Sequence, residues 1–181
     1  MKNKHPSSEE CFALLKEYET PEHVIRHCVA VATVSLLIGE ALNKKGFSFD
    51  LDLIRSAGLI HDIARVKKKH WKIGGKFALK RGYKQEAEII SKHMNHYIQS
   101  VPEKLTELDI VCLGDRLVLE DEYVGVEIRA RYTLDKVKGK KKYERLIHEE
   151  IRALNALIRN IESILGMSVD ELMNRPATAR I

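Results

Sequence analysis

The pair His61-Asp62 sits inside the apolar stretch AGLIHDIAR, and it constrains this chain more than any other feature. An apolar helical segment carries an adjacent imidazole and carboxylate only when both meet partners in the core. His27, His93 and Asp115 occupy equally apolar faces in three other segments. Residues three, four and seven apart share a helix face. Asp115 thus lies with Leu108, Val111, Cys112, Val118 and Leu119, and its carboxylate points inward. A buried carboxylate without a partner costs roughly several kcal/mol and persists only when paired or metal-bound. The fold therefore has to bring four separated segments together at one polar centre.

The other ligand-type residues are read the same way. His61 shares its face with Ile54, Ala57 and Ala64, while Asp62 projects about 100° further round the helix. Gly58, one turn before Asp62, leaves room for an ion or substrate beside the carboxylate. His27 lies with Val24, Val31 and Val34, and taken alone it reads as a satisfied core histidine. His93 faces inward with Ile89 and Ile90. His70 opens a helix ahead of Gly74-Gly75, which permit close backbone approach, and it reads either as a ligand or as a surface residue. His96 reads as peripheral, and His5, His23 and His148 carry no assignment. Jointly, these imidazoles and carboxylates match a divalent transition-metal site more than one for magnesium or calcium alone. The donor set does not choose among iron, manganese, cobalt, nickel and zinc.

Helix signals dominate the rest. Ser7-Ser8-Glu9-Glu10 predicts a capping box for a helix over 11–19. Thr20 is read as the cap of a helix that opens at Pro21, runs to about Lys45 and is closed by Gly46. Asp50 caps a helix through His61-Asp62 to about Arg65. Further helices are predicted over 70–82, over 85–97, from Pro102 through Asp115, over 126–138 and over 143–165, with a last capped turn after Ser168. No strand alternation stands out. The fold class expected is all-α, a single irregular bundle of about seven to nine helices. Ile147, Ile151, Leu154, Ile158, Ile161 and Leu165 form a stripe that serves either a homodimer seam or packing on the parent domain. Fewer than four heptads favour the second.

A chain of 181 residues fits one domain, 1–181. No apolar run is read as approaching a membrane span, and the polar start MKNKHPSSEE has no signal-peptide core. The three cysteines show no paired spacing, so a reducing cytoplasm is the expected location. The net charge of +5 mildly favours anionic partners, although the runs Lys67–Lys69 and Lys140–Lys142 are ordinary for solvated loops.

The order His27, His61-Asp62, Asp115 resembles the H…HD…D pattern of the HD-domain metal-dependent phosphohydrolase superfamily. LIHDIAR is close to its HDIGK variant, and the resemblance covers about 20–138, with a helical extension over 143–174. It is nearest to small HDIG-type members. No acidic residue follows the motif as in alarmone hydrolases, and the GYP segment of cyclic-di-GMP phosphodiesterases is missing. The resemblance implies that His27, His61, Asp62 and Asp115 hold a first metal. His70 and His93 fall where relatives bind a second, with Asp62 bridging. Binuclear members often have two adjacent histidines at the later position, whereas Met94 follows His93 here, so one or two ions remain open. Arg65 replaces the motif lysine and could hold a phosphate oxygen. GDRLV…GVEIRAR resembles the family's later arginine pattern, which makes Arg116 and Arg129 candidate phosphate contacts or else surface arginines.

The function implied is hydrolysis of a phosphomonoester or phosphodiester in a small nucleotide-like substrate. Metal-activated water would attack phosphorus, Asp62 would orient it or take its proton, and His93, where not a ligand, would protonate the leaving oxygen. Two other classes compete. One is a non-catalytic module with a structural metal, binding a partner through its C-terminal helix and basic loops. The other is a di-iron oxygenase, disfavoured by the incomplete second ligand set. Aromatic content of 6% and the absence of an RNA-binding signature argue against nucleic acid as the partner, and no membrane partner is expected.

Overall fold

A computed structural model describes residues 5–98 and 101–174. The start read above as lacking a leader lies partly outside the described residues, at 1–4, as does 175–181 at the end of the expected domain. Among the described residues there are nine α-helices: α1 Ser8–Glu17, α2 Glu22–Asn43, α3 Leu51–Ile60, α4 His70–Lys80, α5 Lys84–Lys92, α6 Glu107–Leu117, α7 Gly125–Val137, α8 Lys141–Leu165 and α9 Val169–Met173. Short 3-10 turns occupy His93–Asn95 and Pro102–Lys104. The class is all-α, as the helix signals predict.

Local chemistry accounts for several boundaries. The Ser7 N–H donates to Glu10 Oε2 at 2.8 Å while the Glu10 N–H donates to Ser7 Oγ at 3.2 Å, closing a capping box on α1. Asp50 accepts from the Leu53 N–H at 3.2 Å at the start of α3. Gly166 takes a left-handed φ of +75° and ends α8. Other expectations fail for tertiary reasons. Thr20 does not cap α2 with its side chain, because its hydroxyl donates to the Ile63 carbonyl at 2.8 Å. Pro102 opens a separate 3-10 turn, and α6 starts five residues later, where the Asp109 carboxylate accepts from the Thr106 N–H and hydroxyl at 2.9 and 2.6 Å. A hairpin absent from the helical reading pairs β1 Val118–Leu119 with β2 Glu122–Tyr123. Two residues per strand are too few to give an alternation signal.

The main core joins α2, α3, α6, α8 and α9 through residues such as Ile38, Ile54, Leu113, Leu157 and Ile161. A second cluster joins α1, α3, α4 and α5 around Leu15, Leu59, Ile63 and Ile90. The stripe on α8 is accordingly covered by the parent chain from Ile151 onward. Against the sequence reading, α2 is long and apolar enough to cross a membrane by length and composition. It is the central helix, with 61% of that apolar window buried inside the bundle. The three cysteines are buried and free, and burial pushes the Cys11 and Cys112 thiols up to about 12.

Helices α2 and α3 pack closely at Gly58. A Cβ on Gly58 would lie 2.8 Å from the Ala32 Cα and 3.0 Å from its Cβ. The space beside Gly58 is therefore filled by α2 and is not open to an ion or substrate. Backbone atoms cannot yield as a flexible side chain does, so Gly58→Ala should lower the unfolding free energy by about 1–3 kcal/mol in a urea titration.

Candidate metal centre

His61, Asp62 and His93 sit where regular helix stops, whereas His27 and Asp115 lie within α2 and α6 and His70 opens α4. The helix read as running to Arg65 ends at Ile60, and the chain continues in tight turns, with Arg65 N–H donating to the Asp62 carbonyl at 2.8 Å. That break leaves the last carbonyls of α3 without helical donors. His61 Nδ1 lies 2.8 Å from one of them, on Gly58. The end of α5 repeats the device, with His93 Nδ1 2.8 Å from the Ile90 carbonyl. His27 uses the hairpin instead, its Nδ1 lying 2.6 Å from the carbonyl of Glu120, a residue held at φ +55°. A carbonyl can only accept, so in all three rings Nδ1 carries a proton and Nε2 is the nitrogen whose lone pair an ion would use.

These lone pairs converge. Ligand atoms of His27, His61 and Asp115 lie within 4.8 Å of one another, and so do those of Asp62, His70 and His93. Asp62 joins the two groups. Its Oδ2 is 3.7 Å from His27 Nε2 and 3.4 Å from His61 Nε2, while its Oδ1 is 3.1 Å from His70 Nε2 and 3.5 Å from His93 Nε2. Asp115 Oδ1 is 3.2 Å from His27 Nε2. Yet the Nε2 atoms of His27, His61, His70 and His93, with Asp62 Oδ1 and Asp115 Oδ1, are buried and form no hydrogen bond. Six buried polar atoms that face one another without bonding are what a divalent ion would satisfy, and the nitrogen and oxygen donors suit a transition metal.

Electrostatics point the same way. Burial disfavours the charge on Asp62, but His61, His70 and His93 outweigh it and hold the carboxyl well below the usual range. Burial likewise opposes ionisation of Asp115, and the facing imidazoles of His27, 3.2 Å away, and His61 keep its carboxyl low. Burial works against a protonated His61, and the adjacent Asp62 more than compensates, raising it above its ordinary value. Two ionised carboxylates in one dry centre call for cationic charge.

Among the described residues, two cavities reach this centre. The larger, about 600 Å³, is lined by His27 and Arg65 with His23, Arg129, Tyr132 and Lys136. The smaller, about 230 Å³, includes His93 and Asp115, and Arg65 and Arg129 line both. Arg65 is ion-paired with Asp62. Arg116 also borders the smaller cavity, but its guanidinium pairs with Glu150 and donates to the carbonyls of Cys112 at 3.1 Å and His96 at 3.0 Å. It is held as a strut between α6 and α8.

With this geometry in place, comparison with known proteins is decisive for the family. The HD domain family matches residues 24–120, more than half of the chain. This chain belongs to the HD domain family. An uncharacterised protein of Methanocaldococcus jannaschii is 29% identical over 87 residues, 46% of this chain and 51% of that protein. A tRNA (cytidine(56)-2′-O)-methyltransferase of Picrophilus torridus is 23% identical over 184 residues, covering 92% of this chain and 50% of that enzyme. The chain thus spans about half the length of the curated relatives it matches. No solved structure matches it.

Sequence reasoning passed over several residues of this chain. Tyr132 and Lys136 share the α7 face of Arg129 by their spacing of three and seven, a signal present in the sequence. His5, left unassigned, is buried with Nδ1 2.6 Å from Glu86 Oε1 and Nε2 3.1 Å from Asp50 Oδ2. It ties the start of the described chain to α3 and α5, a link over 81 residues that no local pattern reveals.

An ion that satisfies six buried atoms stabilises the native state over the unfolded chain. At a free ion concentration about a hundredfold above Kd this linkage is worth about 2.7 kcal/mol. Adding manganese, iron, cobalt, nickel or zinc to chelator-treated protein should therefore raise Tm by roughly 5–10 °C for at least one of them, read by differential scanning fluorimetry.

Proposed function

We propose that this HD domain is a metal-dependent phosphohydrolase, acting as a phosphomonoesterase or phosphodiesterase on a nucleotide-like phosphate ester. We further propose two ions. The carrying observation is the pair of groups, each of two histidines and one aspartate, that meet at the buried Asp62 beneath arginine-lined cavities. His27, His61 and Asp115 would hold one ion, His70 and His93 the other, and Asp62 would serve both. A divalent transition ion bound there supplies a water of lowered pKa and a positive charge for a phosphoryl oxygen.

The chain's own residues contribute orientation and charge. The carbonyls of Gly58, Ile90 and Glu120 hold the Nδ1 protons of His61, His93 and His27, which leaves each Nε2 aimed inward as the nitrogen that would bind an ion. This supports His93 as a ligand rather than as a donor to the leaving oxygen. Arg65, at the mouth of both cavities, is placed to hold a phosphoryl oxygen, with Arg129 across from it. Arg116 acts structurally through Glu150. The larger cavity falls within the ordinary range for small-molecule sites, about 300–1,000 Å³. Its cationic and aromatic wall suits a nucleotide better than a sugar or lipid phosphate. The name of the Picrophilus relative, which places that enzyme on tRNA, agrees with nucleotide chemistry.

The paired groups also favour a second reading. Two histidines with one carboxylate and open positions make an iron site suited to oxygen chemistry. Oxidation was disfavoured for want of a histidine at position 94, but Asp62, His70 and His93 form a second group without it.

Elemental mass spectrometry on protein purified without chelator separates these outcomes. Wild type should carry two ions per chain, His70→Ala and His93→Ala about one, and Asp62→Ala none. A chromogenic bis-phosphodiester and a panel of nucleotides should be hydrolysed by wild type and at least about 100-fold more slowly by Asp62→Ala. Metal-loaded protein that hydrolyses nothing but consumes oxygen with ferrous iron would establish the oxidative reading. Protein inert in both assays would leave the non-catalytic module.

A further inference from the structure

We propose that the larger cavity contains a second anion subsite, built by Arg129 and Lys136 on α7 with Tyr132 between them, so that the substrate is a nucleoside carrying two phosphates. One phosphate would sit at the metal centre and the other against α7. The proposal rests on the phosphohydrolase reading for the first of these positions.

The cavity places His27 and Arg65 together with the α7 face of Arg129, Tyr132, Thr133 and Lys136. Their spacing of three, four and seven puts these four side chains on one stripe. Its cations differ from the others around the cavity. Arg26 is neutralised by Asp121 at 2.9 Å, and Arg65 is paired with Asp62. Among the described residues no carboxylate lies within ion-pair distance of Arg129 or Lys136. Arg129 donates to the Thr133 hydroxyl at 3.1 Å, but its Nε is buried without a hydrogen-bond partner. A buried guanidinium N–H without an acceptor is costly, and an anionic oxygen is the acceptor that also answers its charge. Lys136 Nζ stands 4.0 Å from the centroid of the Tyr132 ring, so an aromatic surface lies beside the two cations.

The spacing supports two anions rather than one. Arg129 lines both cavities, whereas Lys136 lines the larger alone. Seven residues of helix span about 10 Å, so one phosphate held by Arg65 at the metal centre would leave the α7 cations Arg129 and Lys136, spread over about that length, for a second. A ribose and base bridge such a gap, and Tyr132 offers the base a stacking face. Two sources share this chemistry, a free nucleoside bisphosphate and a phosphate-terminated polynucleotide. The turn between α7 and α8 and the first residues of α8 carry Lys138, Lys140, Lys141 and Lys142, which would extend the cationic wall towards a longer chain.

Isothermal titration calorimetry on the full chain would compare adenosine 5′-monophosphate, adenosine 3′,5′-bisphosphate and a short oligoadenylate with the same terminal phosphate. Turnover would be followed by chromatography on the same samples. The bisphosphate should bind at least tenfold more tightly than the monophosphate. Arg129→Gln and Lys136→Gln should each reduce that preference to below threefold, and Arg129→Lys should restore part of it. Lys16→Gln, exposed on α1 and outside both cavities, should leave the preference intact. Wild-type affinities within twofold of each other, or a preference that survives both glutamine substitutions, would overturn the subsite. A preference without hydrolysis of any ester keeps the subsite and removes the phosphohydrolase reading, and hydrolysis without a preference does the reverse. Tighter binding of the oligoadenylate, with a steep salt dependence, identifies a polynucleotide end as the source, and equal or weaker binding identifies a free nucleotide.

Discussion

Asp62 is a fully buried carboxylate within 4.0 Å of four imidazoles and one guanidinium, and the surrounding architecture is arranged to keep it ionised. An unpaired charge in such a place would cost several kcal/mol, roughly, so no fold of this chain could leave it alone. The consequences reach outward through the backbone. The termination of α3 at Ile60 frees the Gly58 carbonyl for His61, and that of α5 at Lys92 frees the Ile90 carbonyl for His93. The hairpin after α6 turns at Glu120 in a left-handed conformation, and that residue's carbonyl meets His27. Irregular backbone at three places has one physical reason: each histidine needs an acceptor on Nδ1 so that Nε2 faces the carboxylate.

This explains which parts of the fold were legible in the sequence. Ser7 with Glu10, Asp50 with Leu53 and Gly166 at the end of α8 act within a few residues, so their signals survive in any short window. The inward direction of His27, His61 and Asp115 follows from helical periodicity alone. The breaks at Ile60 and Lys92 were not legible, because they are stabilised by ring-to-carbonyl contacts that exist only once the rings turn to a common centre. Thr20 has the composition of a cap, but its hydroxyl is drawn to the Ile63 carbonyl, 43 residues away. Gly58 shows the same limit in another form. The sequence reveals that a side chain is missing, and only the α2–α3 crossing reveals that Ala32 occupies the space.

Three arginines near the centre show why residue type alone does not assign a role. Arg116 meets Glu150 of α8 and two carbonyls, so its donors are committed to joining helices. Arg65 is tied to Asp62 yet lines both cavities, which leaves part of the guanidinium facing the space where substrate would enter. Arg129 has a hydroxyl for one N–H and nothing for its buried Nε. The same side chain is a strut, a hinge between ligand and cavity, and an unsatisfied donor. The difference lies in partners far apart in the chain.

Charge balance then connects the centre to the cavities. Neutral imidazoles bring no charge to an ion, so in the proposed arrangement two divalent ions face only the carboxylates of Asp62 and Asp115. These cannot neutralise them, and Arg65 and Arg129 add further positive charge at the entrances. A loaded centre of this kind carries an uncompensated positive field into a partly dry space, where electrostatic interactions are stronger than in water. A neutral ligand would leave that field unanswered. In the proposed arrangement a phosphate group would complete it, and negative charge developing on phosphoryl oxygens would meet charge already in place. The excess of positive charge would on that reading favour phosphate esters among the substrates that such a ligand set could serve.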